Sequence, residues 1–146
     1  MATQRTKIAV RPSAGAVATV LAAAGWWLHQ VSLVLDGKAP VSCGEAIRFL
    51  ETAHPPETAR NKQCTWGQWQ TTWYTMDFQA SRTEAEAWLH TTYPDARVYR
   101  DCVDADLCSS PTVLQDGDDS ADHLSVDIRF QEHDSAVAHV SGVTTN

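Results

Sequence analysis

Before Asp36 the sequence has no acidic residue, and between Ala14 and Leu35 it has no formal charge of either sign. It has no C-x-x-C pair, so a thioredoxin-type exchange centre has no local support. No nucleophile-elbow pattern frames any serine, and the Ser, His and Asp residues present therefore do not announce a hydrolytic triad. No lipobox-like cysteine comes after the apolar run, because Cys43 is too distant and is preceded by Ala39, Pro40, Val41 and Ser42. Internal repeats and low-complexity tracts are also missing, which excludes solenoid and fibrous architectures. Lysine is scarce, with three against eight arginines, a bias that accompanies GC-rich genomes without being a physical argument.

The composition present is that of one domain plus an appendage, since 146 residues of ordinary globular composition make one core. Arg5, Lys7 and Arg11 lie in a basic segment, residues 1–13, ahead of the apolar run AGAVATVLAAAGWWLHQVSLVL. Those 22 residues, at about 1.5 Å each in a helix, span about 30 Å of hydrocarbon. The basic side keeps the N-terminus in the cytoplasm and places the chain beyond Leu35 outside, giving a single-pass anchor at residues 14–35 held in the lipid bilayer. Trp26 and Trp27 suit the outer interface or a neighbouring helix. A signal peptide cut after Ala22-Ala23-Ala24 is the rival, although it would leave GWWLHQVSLVL as an apolar new N-terminus; a buried helix of a soluble protein is the third reading. From Asp36 onward eighteen acids face eight bases, a net charge of −10 that repels phosphate backbones and disfavours nucleic acid.

Cys43, Cys64, Cys102 and Cys108 all fall beyond the apolar run, and an even count in a small exported domain reads as a disulfide set. Three pairings exist; Cys43–Cys64 with Cys102–Cys108 closes the two local loops. Zinc is the weaker reading, because the spacings lack a short C-x₂₋₄-C knuckle.

The pattern beyond the linker at residues 36–42 predicts an α+β domain over residues 43–146. Ser42 and Glu45 form a capping-box pattern ahead of Ala46, Ile47, Phe49 and Leu50, and His54-Pro55-Pro56 stops that helix. Residues 66–79 read as one long strand, or two joined by a bend, with Tyr74, Met76 and Phe78 on one parity and Trp69, Thr71 and Trp73 on the other. Ser81 and Glu84 repeat the capping box before a helix with Ala85, Trp88 and Leu89 that Pro94 ends. A strand at 97–103, a loop at 104–121 and alternating strands at 124–130 and 136–143 complete the order. The expectation is a small antiparallel sheet with two helices on one face, stabilised by disulfides, a ferredoxin-like variant being one topology.

Three constellations are candidates for function. Trp66, Trp69 and Trp73 offer an aromatic binding surface, with 69 and 73 on one strand face about 13 Å apart; buried, they are core. Asp116, Asp118, Ser120, Asp122 and Asp127 fall at positions 1, 3, 5, 7 and 12 of an EF-hand-like register for Ca²⁺, against Ala121 where the motif wants glycine and Asp where it wants Glu. A solvated acidic loop is the plainer reading of the same residues. His123, His133 and His139, near Asp122, Glu132 and Asp134, suit zinc or copper if a hairpin gathers them, and otherwise lie at the surface.

The expectation is a membrane-tethered extracytoplasmic binding or accessory domain of bacterial type. It has no catalytic residue and no required cofactor, and it acts on an envelope or membrane protein or a ligand. The alternatives are an exported metal-dependent or hydrolytic enzyme using acids and histidines near the C-terminal hairpin, and a structural subunit of a membrane complex.

Overall fold

The computed structural model describes residues 14–100, 102–112 and 120–145. The chain divides into two compact units, residues 1–32 and 33–146. Helix α1 (Ala14–Leu35) takes up the charge-free run and is long and apolar enough, by length and composition, to cross a membrane. Its end is written in the sequence. Gly37 adopts a left-handed φ of 68°, and the Gly37 and Lys38 amides donate back to the Val34 and Leu33 carbonyls, which is the Schellman closure that favours glycine at that position.

The segment read as a linker, residues 36–42, contains a short paired strand. Ala39–Pro40 is already a strand, β1, paired with Trp66 and Thr65, and Ala39 is buried. Helix α2 (Cys43–Phe49) comes next, with the Ser42 hydroxyl accepting from the Glu45 amide. Only half of that capping box forms, because the Glu45 carboxylate accepts from the Tyr74 hydroxyl at 2.9 Å instead. Glu51 stands at φ 47° where the same Schellman closure is made by the Glu51 and Thr52 amides onto Arg48 and Ile47.

Of the two readings of residues 66–79, the structure has two strands, and they are joined as a hairpin. Strand β2 (Arg60–Gln68) turns at Trp69 and Gln70 into β3 (Thr71–Ser81), and Trp66 pairs with Tyr74 across the ladder. Helix α3 (Arg82–Thr92) has the complete capping box of Ser81 and Glu84. Strands β4 (Val98–Arg100), β5 (Leu107–Ser109), β6 (His123–Phe130) and β7 (Ser135–Thr145) then make a meander. The described residues thus hold three helices and one seven-stranded antiparallel sheet in the order β1-β2-β3-β7-β6-β5-β4. This is α+β but not the ferredoxin-like variant. The α3 connection carries the chain from β3 past three strands to the far edge, and the meander returns to seat β7 beside β3, whereas a split βαβ unit leaves room for one strand between.

The core follows the strand period. Met76 and Phe78 of β3, Leu124, Val126 and Ile128 of β6, and Ala136, Ala138 and Val140 of β7 share one parity and are buried. Ala46, Phe49 and Leu50 from α2 and Ala85, Trp88 and Leu89 from α3 are buried with them. Phe49 lies 4.4 Å from Tyr74 between ring centroids, and Phe78 meets Trp88 edge-on at 5.0 Å. The Trp88 indole N–H donates to the His54 carbonyl at 3.1 Å, so the loop with the two prolines is tied to α3. Disulfides join Cys43 to Cys64, from α2 to β2, and Cys102 to Cys108.

The β6–β7 turn holds His133 and Asp134 at φ 59° and 58°, the positive values that the two central residues of a mirror-image hairpin turn require. Neither is the residue that backbone prefers. Writing His133→Asn with Asp134→Gly is therefore expected to raise stability by about 1 kcal/mol, read as a higher urea midpoint at unchanged slope.

Candidate functional site

The opposite parity of the same strands makes a second sheet face of another chemistry. Thr65, Thr75, Ser141 and Ser125 fall in one row across β2, β3, β7 and β6, because the register pairs each with the next. The next row carries Gln63, Asp77, His139 and Asp127, and the one before it carries Gly67, Trp73, Val143 and His123. None of the residues in the hydroxyl row is fully buried.

The protons within that row decide what it offers a ligand. The Thr65 hydroxyl donates to the Gly37 carbonyl at 2.8 Å, so in the 2.7 Å contact between Thr65 and Thr75 the donor is Thr75. Thr75 is left with acceptor capacity only. Ser125 and Ser141 bond each other at 2.9 Å, which uses one of their two protons and leaves the other for a visitor.

Trp73 stands in the row beside it, two residues from Thr75 on β3, against glycine backbone. A Cβ at Gly67 would lie 2.5 Å from the Trp73 ring and 2.5 Å from the Gly37 Cα, and a Cβ on Gly37 would also collide with the indole. Glycine at both positions lets the ring lie against two stretches of main chain, an aromatic cover of a strand glycine. A groove of about 530 Å³ runs beside it, lined among others by Trp73, Thr75, His123, Ser125, Ser141 and Val143. That volume lies within the range of small-molecule sites, about 300–1,000 Å³.

Comparison with protein-family models, with curated proteins and with solved structures gives no match. The chemistry of this domain is therefore read from its own residues.

In the next row the His139 Nδ1 is 2.7 Å from Asp77 Oδ1, both side chains being about four-tenths exposed. The hydrogen bond to Asp77 holds the imidazole above its usual value; the charges of Asp77 and Asp127 add to this, while partial burial and Arg129 oppose it. Below about pH 6.5 the imidazole is protonated in folded and unfolded chains alike and the stabilisation is complete, and it is lost as pH rises through the higher folded-state value. Asp77→Asn is expected to flatten that fall, seen in urea midpoints measured between about pH 5.5 and 8.5.

The structure separates the three tryptophans named from the sequence. Trp66 lies on the parity of Tyr74, with ring centroids 6.3 Å apart, Trp69 sits in the β2–β3 turn and is 70% exposed, and Trp73 is on the second face. Residues 69 and 73 do not share a strand face, because the strand begins at Thr71.

Asp116 and Asp118 of the EF-hand-like register lie outside the described residues. Ser120 is buried, and Asp122 accepts from the Thr144 hydroxyl at 3.2 Å. Asp127 is in the middle of extended β6, opposite His139, so it stands roughly 16 Å along the strand from Asp122 and on the other side of it. The seventh and twelfth positions of the register are therefore not gathered at one point by the strand.

Part of the acidic segment has a structural use. Asp106 accepts from the Phe130 amide, and the Asp104 carbonyl accepts from Arg129. The histidines are likewise spread out: His123 and His139 lie about 13 Å apart along the strands, and His133 is in the turn. Among the described residues no three His, Cys, Asp or Glu side chains gather as a metal site requires. The hydroxyl row was invisible beforehand, since nothing but the strand register brings its four members together.

Proposed function

We propose that the chain is a membrane-tethered extracytoplasmic binding domain without catalytic activity. In this reading α2 and α3 cover one face of the sheet, and the opposite face meets a ligand or an envelope partner. The observation that carries it is the groove beside Trp73, an aromatic ring seated on two glycines next to a row of hydroxyls with unused hydrogen-bonding capacity. The address is supported by the apolar helix α1 ahead of two disulfides, bonds that persist in oxidising compartments. The tether restricts action to the membrane surface.

A photo-reactive residue at position 123, exposed and lining the groove, tests the reading in the full chain in its native membrane. Adducts with envelope material are expected there and not from the same residue at position 87, which is exposed on α3. Equal labelling from both positions, or none from 123, contradicts it.

A further inference from the structure

We infer that the groove beside Trp73 takes a neutral pyranose ring, free or within a glycan chain, with its C–H face on the indole. The inference rests on the binding reading above and names the ligand that reading leaves open.

Charge is the first constraint. Trp73, Thr75, Ser110, Ser125, Ser141 and Val143 carry no charge, and among the described residues His123 is the one titratable side chain lining the groove besides the Tyr74 phenol, which donates to Glu45. The nearby carboxylate of Asp77 is engaged by His139. Among the described lining residues an anion meets no fixed cation, and it approaches a region of net charge −10; an ammonium ion meets no carboxylate among them, Asp127 lying one row further along β6.

Hydrogen-bond polarity is the second. Thr75 offers acceptors alone, and the Ser125–Ser141 pair offers one proton against several lone pairs. Such a row satisfies a ligand that brings more donors than it needs acceptors for, which vicinal hydroxyls do. Shape is the third. The indole is held against Gly67 and Gly37, so its conformational freedom is already lost before binding, and a flat apolar face suits its free side. A pyranose with equatorial substituents presents that flat face of axial C–H bonds on one side and a rim of hydroxyls on its edge. Lipid tails and unmodified apolar peptides lack the rim, and phosphate lacks the face.

The test is a titration of the full chain in lipid nanodiscs, free of sugar-based detergent, with cellotetraose, chitotetraose, glucose, choline and inorganic phosphate. The readouts are the indole N–H resonances and the amide resonances of Thr75, Ser125, Ser141 and Val143. Saturable shifts confined to these positions are expected with at least one tetrasaccharide at about millimolar affinity. Tighter binding of the tetrasaccharide than of glucose points to a glycan chain, and equal binding to a single free sugar; both support the inference.

Trp73→Ala is expected to weaken binding at least about tenfold. Should that variant lose its fold, Ser125→Ala with Ser141→Ala removes the free proton while leaving the core untouched, and a loss of about three- to tenfold is expected. No shift with any sugar up to about 10 mM overturns the inference, as does a response to choline or phosphate alone. Cross-linking from position 123 without sugar binding overturns the ligand and leaves the binding reading standing, whereas failure of both overturns both.

Discussion

Replacing Phe78 by alanine lowers the stability of the folded domain by about 4 kcal/mol and its melting temperature by on the order of 15 °C. Phe78 is 1% exposed in the middle of β3 and packs edge-on against Trp88, so the cavity left behind opens between the sheet and α3. The neighbouring strand contributes only Ala138 opposite it, a side chain too small to fill the space. Relaxation requires α3 to move, and α3 is tied through Trp88 to the His54 carbonyl and through Arg82 to the Gln131 carbonyl. The cost therefore sits high in the usual range for Phe→Ala. Near-UV circular dichroism of the full chain in nanodiscs, melted beside Tyr99→Ala as an exposed control within about 0.5 kcal/mol of the parent, measures it.

Removing the Cys43–Cys64 bridge by Cys43→Ala and Cys64→Ala costs about 3 kcal/mol. The loop it closes spans 21 residues of sequence separation and contains α2 and the two prolines, a stretch with much freedom to regain when unfolded. Cys64 is also 5% exposed within the core, so the substitution loses packed sulfur besides the cross-link. The Cys102–Cys108 loop has a separation of 6, and the same chain-entropy argument gives about 2 kcal/mol for its loss. Paired melts of the two double variants check both the magnitude and the order. A larger loss from Cys102 and Cys108 contradicts the assignment of α2 to the core through the first bridge.

Much of the fold was legible where local chemistry and burial agree. The Ser81–Glu84 capping box and the alternation of β6 and β7 are where the pattern places them, because one buried face imposes the strand period. The β2–β3 turn at Trp69 and Gln70 contains no Gly, Pro, Asn or Asp, so the pattern leaves one long strand and two strands joined by a bend equally open. Strand β5 has three residues inside an acidic stretch, and β1 has two, one of them proline; both exist because a neighbouring strand offers its edge, not through their own propensity. Gly37 reads as a linker residue and is instead a helix terminator that also seats Trp73. Trp73 stands out in the aromatic strand pattern, whereas Thr65, Thr75, Ser125 and Ser141 acquire meaning only through register.

The central claim is an exported, tethered domain with both disulfides closed. The intact mass of protein extracted from its native membrane, alkylated under non-reducing denaturing conditions, tests it most directly. The account predicts a mass that retains residues 14–35 and carries no alkyl group. Four alkylated thiols would contradict the compartment, and a mass lacking the residues up to Ala24 would contradict the tether.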